Sequence, residues 1–335
     1  MKLHPVDLCP INGSKGKIFL PIVCDHFFGS PGNWTYYRDA ETGHVWLSPR
    51  PSDDDIPALY SAYYTHAATT EDVLNSAWNL AVQLILSRRL GYLAPKKCGY
   101  LPHLISLLPT VGDAAVIEVL KIHSVEGGRL LDYGCGNGQF MRRMGAAGWD
   151  VVGIEPDAVA ANMLRQQYGY EVRTTCSDLN DWVGTFDVIA LNHVIEHLSN
   201  PKQIVEGLVR LLKNNGKLIL TTPNSESLCA KLFGRYWRGL EAPRHFNVFT
   251  TKSLESLLDQ VGLEVIEIST ETRLTRGIFY VSAAAAFGQN GIELVQTRSR
   301  GLKYLGYIFQ LAEAALRLVF PKLGEELFFV CRRKH

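Results

Sequence analysis

A glycine-rich turn follows an apolar run in the segment RLLDYGCGNGQF, residues 129–140. Leu130 and Leu131 close a run typical of a buried parallel strand, and a helical pattern begins near Gln139. The glycines between them permit positive φ angles and let a ligand approach the backbone, while free N–H groups at a helix start favour an anionic or strongly polar group. The segment therefore predicts a strand, a tight turn and a helix that together bind the polar end of a ligand.

The glycine spacing differs from the dinucleotide-binding pattern G-x-G-x-x-G, because the third glycine comes one residue early and residue 139 is glutamine. A second apolar strand, Val151 to Ile154, ends in Glu155, about twenty residues after the glycines. In doubly wound folds a carboxylate at this place accepts hydrogen bonds from ribose hydroxyls. The two signals together predict a nucleotide-like cofactor that is not a dinucleotide.

Four segments, LLDYGCGNGQF, GIEPD, TTCSDL and FDVIALNHVIEHLSNP, resemble in order and spacing motifs I to IV of the class I S-adenosylmethionine-dependent methyltransferases. The resemblance implies an enzyme that uses S-adenosyl-L-methionine. It implies that the loop after Asp132 holds the methionine end of the cofactor, that Glu155 holds the ribose, and that Asp178 with Leu179 holds the adenine. The cofactor-binding residues that it implies are Asp132, Tyr133, Gly134, Cys135, Gly136, Gly138, Glu155, Pro156, Asp178, Leu179, Asn192 and His193.

Apolar strands alternate with helical stretches along the second half of the chain, which predicts an α/β fold with a Rossmann-like, doubly wound and mostly parallel sheet. The resemblance adds that this sheet has seven strands and that the last, for which Leu327 to Arg333 is the candidate, is antiparallel. We predict a β-rich N-terminal module over 1–64, a helical bridge over 65–126 with helical spacing at 77–90 and 114–123, and the Rossmann-like domain over 127–335 with a helical insert at about 272–322.

The N-terminal module resembles the zinc-ribbon-like segment with which many bacterial methyltransferases of this type begin, but in degenerate form. Cys9 keeps its place, whereas Asn12, Asp39 and Thr42 stand where three further cysteines would be. Structural zinc needs four thiolate or imidazole ligands, and the nearby Cys24 and His26 supply only two. We therefore predict no metal ligands in the chain.

Charge and cysteine content narrow the classes of partner. Lys and Arg total 34 against 33 acidic residues, and the net charge of +1 gives no electrostatic reason to expect a nucleic-acid partner. The seven cysteines are scattered, and the N-terminus MKLHPVDLCP has no basic region followed by an apolar core. We expect a cytoplasmic protein with a small-molecule substrate and no disulfide framework.

The insert contains one strongly apolar helical segment, 304–321, in which Gln310, Glu313 and Arg317 form a single polar stripe. The segment is shorter than a normal bilayer span and is interrupted by charge. We expect it to pack against the catalytic domain or a second subunit, as in a homodimer. The alternative is peripheral contact of the apolar helix 304–320 with a membrane surface.

Methyl transfer asks a protein mainly to align the acceptor and exclude water, but a hydroxyl acceptor must also lose a proton, which an imidazole can take. We predict His193 and His245 as catalytic residues. His193 follows Asn192 at the carboxyl end of a strand, where ligands bind in open α/β sheets, and His245 lies in the polar and aromatic loop WRGLEAPRHFNVFT. His197 is interpreted as structural. Arg244 and Arg238 either grip a phosphate or carboxylate of the acceptor or lie solvated at the surface.

These features predict O-methylation of a small molecule, with a sugar or saccharide intermediate as the leading acceptor. A quinone precursor or another phenolic metabolite is the alternative, because NHVIEHL also resembles the ubiquinone-pathway O-methyltransferases. Two further alternatives come from other classes: an NAD(P)-dependent oxidoreductase, which requires a glycine at position 139, and a catalytically silent nucleotide-binding scaffold subunit.

Overall fold

The computed structural model describes residues 1–56, 59, 77–107, 109–175, 179–288 and 300–334. The chain forms two compact units, whose segments are Met1–Tyr63, Leu191–Arg210 and Lys217–His335 for the first unit, and Tyr64–Ala190 and Leu211–Gly216 for the second. The N-terminal segment thus belongs to the same unit as the C-terminal part of the chain. The domain boundaries 1–64, 65–126 and 127–335 stay a prediction.

Short strands and medium-length helices alternate along the described residues. The strands are β1 (Leu3–His4), β2 (Lys17–Val23), β3 (Trp34–Arg38), β4 (Val45–Leu47), β5 (Arg50–Pro51), β6 (Arg129–Tyr133), β7 (Asp150–Ile154), β8 (Val172–Arg173), β9 (Phe186–Asn192), β10 (Leu212–Pro223), β11 (Asn247–Val248), β12 (Leu263–Glu271) and β13 (Glu326–Arg333). The helices are α1 (Ala77–Leu90), α2 (Tyr100–Ser106), α3 (Pro109–Glu118), α4 (Gln139–Ala146), α5 (Ala158–Tyr168), α6 (Pro201–Leu211), α7 (Leu228–Phe233), α8 (Thr251–Gln260), α9 (Thr275–Ala286) and α10 (Arg300–Arg317). The helix predicted over 114–123 is wrong in its bounds, because α3 ends at Glu118 and the chain then turns through Leu120 and Lys121, both with positive φ.

Parallel pairing dominates the second unit, where β9, β6, β7 and β8 are neighbours in that order. Leu131 of β6 lies opposite Val152 of β7 and Ile189 of β9, and all three side chains are buried. Continuous apolar strands of this kind are expected where both faces of a parallel sheet are covered. Helix α4 packs on β7 and α5 on β8, so the strand ends that carry the glycine loop and Glu155 are fixed by helices that start directly after them.

The last strand, β13, lies between β10 and β12 and runs antiparallel to both. Phe329 of β13 is opposite Leu220 on one side and Ile268 on the other. The full sheet has seven strands in the order β12-β13-β10-β9-β6-β7-β8. The predicted Rossmann-like sheet with one antiparallel strand is confirmed.

A four-stranded sheet, β11-β4-β3-β2, contains most of the N-terminal strands. It is completed from far along the chain, because Trp46 of β4 lies opposite Asn247 and Val45 opposite Val248. The side chains of Val45, Trp46 and Val248 are all buried. The N-terminal segment is β-rich as predicted, but residues 247–248 supply one of its strands.

Hydrogen bonds to one carboxylate join the two turns that carry the degenerate zinc-ribbon positions. Asp39 accepts from Asn12 Nδ2 at 3.2 Å, from Ser14 Oγ at 2.5 Å and from Thr42 Oγ1 at 2.6 Å. Burial alone would raise the pKa of Asp39, but the hydrogen bonds from Ser14 and Thr42 outweigh it and hold the pKa well below its usual range. Cys9, the remaining cysteine, is buried. A carboxylate and its donors therefore hold together the turns that zinc would cross-link.

The pair named as alternative metal ligands has other contacts. The Cys24 thiol donates to Asn33 Oδ1 at 3.3 Å, and the His26 ring lies 5.0 Å from the ring of Tyr236. The prediction that the module binds no metal stays a prediction.

Helices α9 and α10 form the helical insert before β13, and they pack on each other through aromatic rings. The ring centroids of Phe279 in α9 and Phe309 in α10 are 4.5 Å apart. Within the described residues no single helix is long and apolar enough to cross a bilayer. One pair of helical segments, Tyr100–Ser106 and Val111–Glu118, meets the length and composition criteria together, but the two segments are bent by 85° relative to each other.

Candidate active site

The loop after β6 has the conformation that its glycines predict. Gly134, Gly136 and Gly138 have φ angles of 74°, 53° and 72°, in the region that other residues enter only with strain. At Gly138 a Cβ atom would also lie 2.3 Å from Cδ2 of Leu164, a side chain of α5. Glycine is therefore required at this position both for backbone conformation and for the close approach of α4 to α5.

Two acidic side chains flank this loop at the ends of adjacent strands. Asp132 is buried in β6, and its pKa is raised to about 7 by burial and by the charge of Glu155. Glu155, directly after β7, accepts from the Gly136 N–H at 2.7 Å and from the Asp157 N–H at 2.9 Å. Burial raises the pKa of Glu155 as well. A buried acid, a carboxylate bonded to the loop backbone and a turn bare of side chains form a cradle suited to a polar, nucleotide-like ligand.

The other predicted cofactor residues of the second unit differ in how far their side chains are exposed to solvent. Tyr133 and Cys135 are buried, Pro156 is exposed beside Glu155, and Leu179 is half-buried. Asp178, predicted to hold the adenine, lies outside the described residues. The individual cofactor contacts stay predictions.

In the first unit, His193 occupies a strained position between two buried carboxylates. Its φ of 56° lies in the left-handed region, which is uncommon outside glycine and recurs at functional sites. Nε2 is 2.7 Å from Glu326 Oε1, and Nδ1 is 3.3 Å from Glu196 Oε1. Burial lowers the pKa of His193, but the hydrogen bonds and charges of Glu196 and Glu326 outweigh it and raise the pKa to about 9.

The surrounding groups fix this arrangement. Arg273 forms an ion pair with Glu326 at 3.1 Å, and Thr222 Oγ1 donates to Glu196 Oε2 at 3.0 Å. Asn192, predicted beside the cofactor, accepts from Thr221 Oγ1 at 2.7 Å. His193 lies at the carboxyl end of β9, and its two partners come from the turn Ile195–His197 and from the first residue of β13.

Sequence reasoning missed the carboxylates that set the charge of His193. Glu196 is three residues away in NHVIEHL, a spacing that could have indicated the contact. Glu326 is 133 residues away, and its only signal is an acid at the start of the apolar strand ELFFVCRR.

His245 is buried and differs chemically from His193. Its Nδ1 donates to the Gly239 carbonyl at 2.7 Å, and Nε2 lies 3.5 Å from Glu241 Oε2. Burial and the charge of His197 lower the pKa of His245 to about 4, so the ring is neutral at pH 7. A buried imidazole of such low basicity is a poor proton acceptor, and its catalytic role stays a prediction without support from this geometry.

His197 packs edge-on against His245, with ring centroids 4.6 Å apart, and its Nδ1 donates to the Arg244 carbonyl at 3.1 Å. Ligand atoms of Glu196, His197 and His245 all lie within 4.8 Å of one another. This spacing and these ligand types suit a divalent cation. The prediction of no metal ligand is therefore most directly tested at this cluster.

Arg244 fits neither of its two predicted roles, acceptor binding or a solvated surface position, because it is buried and its guanidinium is engaged. It forms an ion pair with Asp25 at 2.9 Å and donates to the Leu59 carbonyl and to Ser30. The guanidinium therefore anchors the loop that carries His245 to the N-terminal segment.

Comparison with known proteins adds the family. A family model described as a methyltransferase domain matches residues 109–268, the segment that carries the glycine loop, Glu155 and His193. Residues 109–268 are a class I S-adenosylmethionine-dependent methyltransferase domain. The cofactor of this family is S-adenosyl-L-methionine, and the cradle described above fits it.

The similar proteins include several methyltransferases. The mitochondrial ubiquinone biosynthesis O-methyltransferase of Rattus norvegicus is 29% identical over 160 residues, which are 42% of this chain and 46% of that protein. The malonyl-[acyl-carrier protein] O-methyltransferase of Paenibacillus sp. (strain JDR-2) is 27% identical over 162 residues, 43% of this chain and 58% of that one. The solved phosphoethanolamine N-methyltransferase 2 of Haemonchus contortus, in complex with S-adenosyl-L-methionine, is 15% identical with a TM-score of 0.44, covering 93% of this chain and 72% of that one. The chain spans about half the length of the curated relatives that it matches.

Proposed function

We propose that the methyltransferase domain makes this protein an S-adenosylmethionine-dependent O-methyltransferase whose acceptor is a phenolic small molecule of the quinone-precursor kind. The observation that carries the proposal is His193 fixed between Glu196 and Glu326 at the carboxyl end of β9. The sugar acceptor expected from the sequence gains no support, whereas similar proteins include ubiquinone biosynthesis O-methyltransferases.

The acidity of the acceptor is the physical reason for preferring a phenol. The pKa of His193 is raised to about 9, and an unperturbed phenol titrates near ~10. Proton transfer between groups of such similar pKa costs only about 1.4 kcal/mol per unit of difference. An aliphatic sugar hydroxyl is much less acidic than a phenol, so the same imidazole would be a poor match for it.

His193 then acts as an acid–base group, and the residues around it support it. Nε2–H of neutral His193 stays donated to Glu326 at 2.7 Å, and Nδ1, whose 3.3 Å contact with Glu196 Oε1 is the longer of the two, takes the phenolic proton when the hydroxyl displaces that oxygen. The phenolate oxygen forms the new O–C bond while the donor's S–C bond breaks. Glu326 stabilises the resulting imidazolium and is itself held by Arg273, as a carboxylate orients a histidine base in other enzymes. Thr222 holds Glu196 against the other ring nitrogen.

The residues around the glycine loop would hold the methyl donor. Asp132 and the backbone of the glycine loop would hold its amino-acid end, and Glu155 would hold its ribose. When bound, S-adenosyl-L-methionine supplies an electrophilic methyl group with its own leaving group, so positioning and exclusion of water are what the protein must add.

The test is a transfer assay on the full chain with radiolabelled S-adenosyl-L-methionine and two acceptor panels, catechols and other phenols against sugars and nucleotide sugars. We expect label in at least one phenol, with His193→Ala slowing turnover about 10²–10⁴-fold and the exposed His4→Ala serving as the matched control. Label in a sugar alone, or full turnover by His193→Ala, would contradict the proposal.

A further inference from the structure

Helix α10 (Arg300–Arg317) is amphipathic, but its two faces are reversed relative to an ordinary surface helix. Its polar stripe faces the protein. Gln310 donates to the Thr272 carbonyl at 2.7 Å, and Arg317 forms an ion pair with Glu271 at 3.3 Å. A surface helix of a soluble protein normally turns this stripe to water.

Glu313 lies at the centre of the inward stripe. It is fully buried and accepts from the hydroxyl of Thr275. Burial and the charge of Glu325 raise the pKa of Glu313 to about 8. At neutral pH the inward face therefore holds a largely uncharged acid, and α10 carries little negative charge.

The opposite stripe is apolar and faces outward. Tyr304, Leu311 and Leu318 are exposed to 69%, 64% and 87%. Two further side chains of the same stripe, Tyr307 and Ile308, are half exposed. Positions 304, 307, 308 and 311 recur at the three- and four-residue spacing of one helical face. Just beyond the helix, Leu318, Val319 and Phe320 extend the apolar surface. A contiguous apolar face of this kind marks an interaction surface.

The exposed charges on the described segments that flank this face are basic. In the segments 272–288 and 300–324 the one acidic residue is the buried Glu313, while Arg276, Lys303 and Lys322 are exposed. Arg276 lies over the ring of Tyr307 at 4.3 Å, and Lys303 over Tyr280 at 6.0 Å. An outward apolar stripe with tyrosines and flanking cations is the composition of helices that lie in the interface of an anionic bilayer.

We propose that the apolar face of α10, together with Lys303 and Lys322, is a docking surface for an anionic lipid bilayer, on which the helix lies parallel to the membrane plane. No single described helix could cross the bilayer, so the contact is peripheral. The alternative cover, a second copy of the chain, would bring like charges of two such faces together. The inference does not depend on the identity of the methyl acceptor.

Vesicle co-sedimentation of the full chain tests this surface. The vesicles are phosphatidylcholine alone or phosphatidylcholine with phosphatidylglycerol. The variant Ile308→Ser/Leu311→Ser removes two outward apolar side chains, and Lys303→Glu/Lys322→Glu reverses the flanking charge. Val159→Ser, which truncates a 65% exposed side chain of α5 in the second unit, is the matched control.

We expect the wild type to bind the anionic vesicles. Binding should weaken about tenfold in the serine variant and at least about fivefold for each lysine replaced, and Val159→Ser should bind as the wild type does. Equal binding by wild type and serine variant would overturn the proposal. A wild-type protein that does not bind vesicles would also overturn it. This includes the outcome in which the wild type is a dimer in solution and Ile308→Ser/Leu311→Ser converts it to a monomer. Equal binding to neutral and anionic vesicles would overturn the role of the lysines.

Discussion

The Nε2 atom of His193 lies 2.7 Å from Oε1 of Glu326, although 133 residues separate the two in the chain. Burial by itself would raise the pKa of Glu326. The charge of Arg273 and the hydrogen bond and charge of His193 outweigh burial and lower this pKa. The contact ties the His193 imidazole, which directly follows β9, to the first residue of β13. Together with the Glu196 contact it raises the pKa of His193 to about 9, against the opposing effect of burial.

The pH dependence of turnover reports this pair. Because the pKa of His193 is raised to about 9, only the small neutral fraction can accept a proton at pH 7, and this fraction grows about tenfold per pH unit up to pH 9. We expect kcat to rise with that slope and level off near pH 9. In Glu326→Gln the pKa of His193 falls and the rising limb moves to lower pH. If the rising limb of the kcat–pH profile stays at the same pH in this variant, Glu326 has a merely structural role.

Cofactor affinity depends on Asp132. The side chain is buried at the end of β6 beside the glycine loop. Under the proposed function it is the partner of the donor's amino-acid end, and removing its carboxyl would remove that partner. We expect Asp132→Ala to weaken S-adenosyl-L-methionine binding at least about tenfold by calorimetry, since a lost hydrogen bond to a charged group costs about 1.5–3 kcal/mol. Asp150→Asn, at an exposed carboxyl in β7, is the control. Unchanged affinity in Asp132→Ala would contradict the assignment of the pocket.

Alanine substitutions at Gly138 and Gly169 distinguish the cost of backbone strain from the cost of a steric clash. Both have φ near 71°, but a Cβ at Gly138 would lie 2.3 Å from Leu164, whereas nothing lies within 4 Å of one at Gly169. We expect Gly169→Ala to cost about 1–2 kcal/mol and Gly138→Ala about 1–3 kcal/mol more, measured by urea denaturation. Equal costs would mean that Leu164 moves aside freely.

Asp39 contributes stability that acid removes. Its hydrogen bonds hold its folded pKa below the unfolded value of about 3.9, so the contribution is complete above pH 4 and is lost as the pH falls toward the folded pKa. We expect Asp39→Asn to lower the free energy of unfolding by about 1–3 kcal/mol at pH 7, and the difference from wild type to shrink in acid. Asp7→Asn, an exposed carboxyl of the same segment, should change neither. A constant difference across pH would refute the carboxylate's role.

Metal content tests the cluster of Glu196, His197 and His245. Both oxygens of Glu196 already have partners, Oε1 in His193 and Oε2 in Thr222. We therefore expect elemental analysis of the purified protein to find no stoichiometric transition metal or zinc. One equivalent of metal that disappears in His245→Ala would reverse this prediction.

Local patterns predicted the glycine turn, the strand that ends before Glu155 and the helix over 77–90, because each depends on neighbouring residues. The stripe of Gln310, Glu313 and Arg317 was also visible, but periodicity does not say which face of a helix meets the protein. Contacts over long chain separations, such as His193 with Glu326, leave no local pattern.

The placement of β13 between β10 and β12 has a consequence for biosynthesis. Both neighbours present unpaired edges until residue 333 has emerged from the ribosome, so the sheet of the first unit closes late. Glu326 arrives with that strand. His193 therefore lacks its 2.7 Å carboxylate partner until translation has passed residue 326.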